Sequence, residues 1–150
     1  FDLLEDALEI VTRLMTGEVV SYDGKVVSLR DAQVRPTPMQ TPHPPIWIGG
    51  AGPRRTLPLV ARYADAWHSW GTPEGLADAS ARVDELAAAA GRDPQAILRA
   101  SSLSLDDLDA ARRQAEAWKE AGWGYLGCSW PSAGAGQVGA FARDVMPDLR

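Results

Sequence analysis

Gly49-Gly50-Ala51-Gly52 is the stretch of this chain best suited to hold a ligand. Glycine accepts positive φ and lets backbone N–H groups approach a ligand with no Cβ between them, which is what a phosphate requires of a turn. The same cluster would also serve a tight strand-to-helix turn with nothing bound. Arg54 and Arg55 follow, either adding positive charge or forming a solvated surface pair. A second set, Trp67, His68, Trp70 and Trp130, could line a substrate pocket. Imidazole relays protons near neutral pH, and indole presents a flat apolar wall. A backbone partner would equally satisfy His68, while Trp47, inside its strand, is expected in the core. Cys128 has no basic neighbour in sequence to lower its pKa, so an inert buried thiol is expected. No Ser-His-Asp or paired-carboxylate arrangement follows from spacing. His43 and His68 stand too far apart in sequence for a metal motif.

These residues need elements to position them. Between Asp2 and Thr16, Leu4, Leu8, Val11 and Met15 repeat at helical spacing, with acidic residues at the start and Gly17 at the end. Two β-prone runs flank Asp23-Gly24 and predict a surface hairpin. Five prolines within residues 35–45 force an extended lead-in to the strand Pro45-Ile46-Trp47-Ile48. Pro58 fits only a first helical turn, so the next helix should start at Thr56 as its cap. Residues 49–55 are then a loop whose amides converge with a helix N-terminus. Further strands are expected over 64–70, 98–105 and 125–130. Helices should start at Thr72-Pro73 and at Asp106 or Asp107, with a short last helix over 138–145. Four strand–helix units with short connections predict parallel α/β architecture, either a barrel or a doubly wound sheet. Four units cannot close a barrel of eight, and the chain opens in mid-helix without an initiator Met. Half of a TIM barrel, with a small hairpin insertion, is therefore expected across residues 1–150.

A net charge of -5 argues against a nucleic-acid partner, since phosphate-backbone affinity needs concentrated Lys and Arg. A small-molecule partner is expected instead. The single cysteine excludes an intrachain disulfide framework and fits a reducing cytoplasm. No apolar run reaches membrane-spanning length, so no membrane partner is expected.

The chain is similar to the luciferase-like monooxygenases, which are flavin- or deazaflavin-dependent oxidoreductases on a TIM barrel. The matching text runs Pro36-Thr37-Pro38-Met39-Gln40, Pro42-His43-Pro44-Pro45-Ile46-Trp47-Ile48-Gly49-Gly50-Ala51-Gly52 and Ala61-Arg62-Tyr63-Ala64-Asp65-Ala66-Trp67. The closing Phe141-Ala142-Arg143-Asp144-Val145-Met146-Pro147 resembles the family's usual C-terminus. The resemblance implies that Gly49, Gly50, Ala51 and Gly52 lie near the phosphate of FMN or of the deazaflavin coenzyme F420. It also implies that these residues are the C-terminal half of a barrel, with the catalytic acid or base in the other half. Ala66 departs from the family's usual glycine before the tryptophan. A non-catalytic α/β module that binds an anion or a partner chain is the alternative. Open sheet edges and an apolar strand face would make such a half-barrel self-associate, so a homo-oligomer without turnover of its own is expected.

Overall fold

The structure, a computed structural model, describes residues 1–149. Helix α1 (Asp2–Met15) carries Asp2 and Glu5 in its first turn and ends before Gly17, whose φ of +88° takes the chain out of the helix. It buries Leu8, Ile10 and the carboxylate Asp6, which is 1% exposed. The reason lies in the hairpin of β1 (Val20–Asp23) and β2 (Ser28–Ala32), which pair antiparallel. Asp23 stands opposite Ser28, so the connection is residues 24–27 and not the expected two-residue Asp-Gly turn. Asp6 accounts for the difference. Its carboxylate accepts the N–H groups of Val26 at 2.7 Å, Val27 at 3.0 Å and Lys25 at 3.2 Å, and the Tyr22 hydroxyl at 3.0 Å. These donors, the Val26 N–H foremost, hold the Asp6 carboxyl down to about 2. Gly24 fits beneath it, since a Cβ there would lie 2.5 Å from the carboxyl group.

After the proline-rich stretch come β3 (Trp47–Gly49), α2 (Thr56–Tyr63), β4 (Ala66–His68), α3 (Pro73–Ala89), β5 (Leu98–Leu103), α4 (Leu108–Glu120), β6 (Tyr125–Cys128) and α5 (Ala135–Asp144). The four strands form one parallel sheet in the order β3-β4-β5-β6, with β3 and β6 at its two edges. This is the parallel α/β arrangement expected; the sheet is open among the described residues. Helix starts follow local chemistry. Thr72 caps α3 by accepting the Gly75 N–H at 3.1 Å ahead of Pro73, and Asp107 caps α4 by accepting that of Ala110 at 2.9 Å. Thr56 is not the cap of α2 but its first residue, and the N–H groups of Thr56 and Leu57 both reach the Gly52 carbonyl at 3.0 Å.

Side chains alternate across the strands, and the helices cover one face of the sheet. Ile48 and Trp67 pack there with Leu57, Val60, Val83 and Trp118, while Leu103 packs with Ala111, Ala115 and Phe141. The other face receives Trp47, Ala66, His68, Leu98, Ala100, Ser102, Tyr125 and Gly127, by the same alternation and register. Trp47, expected in the core, is 47% exposed there because its neighbour Ile48 takes the helix side. Its ring meets Tyr125 edge-on with centroids 5.0 Å apart, although two strands separate β3 from β6. The sheet is therefore strongly curled. Cys128, expected to be buried, is exposed, because it lies on the unpaired edge strand.

Candidate functional site

All four strands run the same way, so the segments leaving their carboxyl ends gather at one rim. In open or closed parallel α/β sheets that is where ligands bind. The glycine turn leaves β3 there, with Gly50 at φ +104°. Its N–H donates to the His68 carbonyl at 2.9 Å. Its carbonyl accepts the Trp67 indole Nε1–H at 2.7 Å. The turn is thus fixed on both sides, and the Gly52 carbonyl is taken by the first turn of α2. Among the described residues the N–H groups of Ala51, Gly52 and Arg54 meet no backbone acceptor. They stand at the positive end of the α2 dipole, the arrangement that favours an anion.

The glycines differ in what they permit. Gly50 has a backbone that an L side chain resists. At Gly52 a Cβ would lie 2.9 Å from the Thr56 hydroxyl oxygen, and at Gly49 it would meet nothing nearer than the His68 carbonyl at 3.9 Å. Gly49 is therefore the glycine of the turn at which an added methyl group meets the fold least. The two arginines also separate. Arg55 is bound to the Asp2 carboxylate and lies 5.4 Å from the centre of the Phe1 ring. Arg54 is exposed, with no partner among the described residues.

The second expected set divides. His68 is half-buried, with Nε2 3.0 Å from the Ser102 hydroxyl on the neighbouring strand; it has a side-chain partner. The Trp70 ring stands edge-on to it, centroids 5.2 Å apart, and Trp70 is 76% exposed. Trp130 is exposed after β6 and makes no ring contact with either among the described residues. Trp67 departs from the expectation that it lines a pocket. It is wholly buried on the helix side of β4, packed on Trp123 at 5.3 Å, because strand alternation sends it opposite to His68. Its connection to the site is the bond to Gly50.

Ser102 was not singled out from the sequence. The usable signal was its position two residues beyond Ala100, on the same face and at a strand's carboxyl end. A further tie sets the Trp130 loop: Asp106, after β5, accepts the Ser132 N–H at 2.7 Å and the Ser132 hydroxyl at 2.8 Å. The Ser132 N–H is the main reason the Asp106 carboxyl lies below its ordinary range. No helix among the described residues is long and apolar enough to cross a membrane, and no cluster of His, Cys, Asp and Glu among them could hold a metal.

Parallel βα units with a glycine turn feeding a helix at the carboxyl rim define an α/β protein of the barrel or doubly wound class. The family is more specific: the model of the luciferase-like monooxygenases matches residues 1–144, and the chain belongs to that family. The fold is similar to an F420-dependent secondary alcohol dehydrogenase in complex with an F420–acetone adduct, with a TM-score of 0.81 and 18% identity over 96% of this chain and 60% of that one. It is also similar to riboflavin lyase with modified FMN and the substrate riboflavin, with a TM-score of 0.79 and 14% identity over 99% of this chain and 57% of that one. A long-chain alkane monooxygenase gives a TM-score of 0.77 and 14% identity, over 99% of this chain and 55% of that one. The chain thus spans less than two thirds of each of these relatives.

Proposed function

We propose that these residues are the C-terminal half of a luciferase-like TIM barrel and act within a flavin- or deazaflavin-dependent oxidoreductase. The observation that carries the reading is the fixed Gly50 turn, which leaves the amides of Ala51, Gly52 and Arg54 free at the start of α2. That arrangement fits the phosphate of FMN or of coenzyme F420, with Arg54 adding charge. Either cofactor would supply the redox chemistry; this half positions it. Gly49 to Gly52 hold the phosphate end, while His68, Trp70 and Trp130 line the pocket for a small-molecule substrate. A cytoplasmic homo-oligomer is the setting in which we place it.

The test is titration of the full-length protein with FMN and, separately, with F420. Binding of one, with redox turnover, is expected. Binding of neither would favour a non-catalytic module that takes an anion or a partner chain.

A further inference from the structure

The sheet face away from the helices is almost bare of polar side chains. Its strand positions are Trp47, Gly49, Ala66, His68, Leu98, Ala100, Ser102, Tyr125 and Gly127, with no Lys, Arg, Asp or Glu among them. Apart from the Tyr125 phenol and the Trp47 indole N–H, the polar groups there are His68 and Ser102, which bond to each other at 3.0 Å across β4 and β5. Both are half-buried near the carboxyl rim and remain reachable. Neither is saturated: no other partner of the His68 ring nitrogens or of the Ser102 hydroxyl occurs among the described residues. A hydroxyl both donates and accepts, and so does a neutral imidazole. Trp70 stands edge-on beside the imidazole and adds an aromatic wall.

We infer that His68 and Ser102 form a polar subsite for one uncharged oxygen, a hydroxyl or carbonyl, of an otherwise apolar substrate. This deepens the reading of the rim as the substrate pocket and rests on it. A mostly apolar wall with one paired donor and acceptor at its carboxyl rim favours a ligand with one oxygen there. A carboxylate would enter with no lysine or arginine on that face to meet it, leaving only the His68–Ser102 pair to offset its desolvation. The subsite therefore discriminates between a neutral oxygen and an acid of the same size.

Three probes of similar shape separate the possibilities: toluene, benzyl alcohol and benzoate. Each is titrated into the full-length protein labelled with ¹⁵N in histidine; this segment holds two histidines, and His43 serves as its internal control. Benzyl alcohol should move the His68 ring signals and bind more tightly than benzoate. Ser102→Ala should weaken benzyl alcohol by about fivefold to tenfold, the effect of one lost hydrogen bond, and leave toluene unchanged, while Ser102→Thr should retain most of the affinity. Equal weakening of toluene and benzyl alcohol by Ser102→Ala would make the pair a latch between strands and overturn the inference, as would preference for benzoate. If none of the three probes disturbs His68 or Trp70, the rim is not the pocket and the inference falls with that reading.

Discussion

The indole of Trp67 donates to the carbonyl of Gly50 at 2.7 Å. A side chain with no exposed surface thus fixes the outermost turn of β3 from beneath. The Gly50 N–H is held by the His68 carbonyl at 2.9 Å, so two successive residues of β4 determine where the free amides of the turn point.

Trp67→Phe removes that donor and some ring volume. A loss of about 2 kcal/mol or more in stability is expected, combining the unpaired carbonyl with the cavity. Trp123→Phe is the control: it alters the same aromatic cluster, in which Trp123 lies 5.3 Å from Trp67 and 4.5 Å from Trp118, without touching the turn. Cofactor affinity, measured by fluorescence titration of the full-length protein, should fall for the first variant and hold for the second. Equal losses would reduce Trp67 to a packing residue.

Asp6 makes the hairpin's attachment to α1 sensitive to acid. Its carboxyl stands at about 2 in the folded chain against 3.8 ordinarily, so the ionised form is the one the fold stabilises. That contribution is complete above the unfolded value and disappears as pH falls through the folded one. Asp6→Asn should melt several degrees below the parent at neutral pH, and the gap should narrow below about pH 4. Thermal melts across that range check it; a gap that stays constant with pH would assign the effect to shape and not to charge.

Trp70 and Trp130 are exposed just beyond the ends of β4 and β6. Alanine at either position should shift the ratio of kcat/KM between a bulky and a small substrate by about tenfold, with cofactor affinity nearly constant. Cofactor loss at unchanged substrate preference would place them on the wrong side of the pocket.

Residues 1–150 prepared alone should self-associate. The sheet has two unpaired edges, Trp47, Leu98 and Tyr125 are exposed on its bare face, and an apolar groove of about 420 Å³ runs along β6 between Tyr125, Leu126 and Phe141. Light scattering on a chain verified by intact mass measures this. A stable monomer at micromolar concentration would contradict the half-barrel assignment.

What the sequence made legible was local. Thr72-Pro73, Asp107 and the glycines Gly17, Gly91 and Gly122 mark the ends of three helices, and the alternation of helices with short apolar runs gives the parallel order of the strands. The hairpin was legible as a hairpin but not in its loop length, because that length depends on Asp6, about twenty residues earlier in the chain. Likewise the Trp67–Gly50 bond spans 17 residues and the His68–Ser102 pair 34, distances at which no periodic pattern carries information. The glycine turn could be read as a place where backbone approaches a ligand. Which of its amides are free depended on contacts made by β4.

The central claim is that the backbone around Gly50 holds a cofactor phosphate, and it is tested by the increment in affinity that the phosphate supplies. FMN is compared with riboflavin, or F420 with its phosphate-free deazaflavin core, in the full-length protein and in Gly50→Val. Valine resists the φ of +104° at this position and disorders the turn while the buried strands remain. The parent should bind the phosphorylated form at least tenfold more tightly, and the variant should lose most of that ratio while its affinity for the phosphate-free form changes little. An unchanged ratio in a folded Gly50→Val protein would contradict the claim.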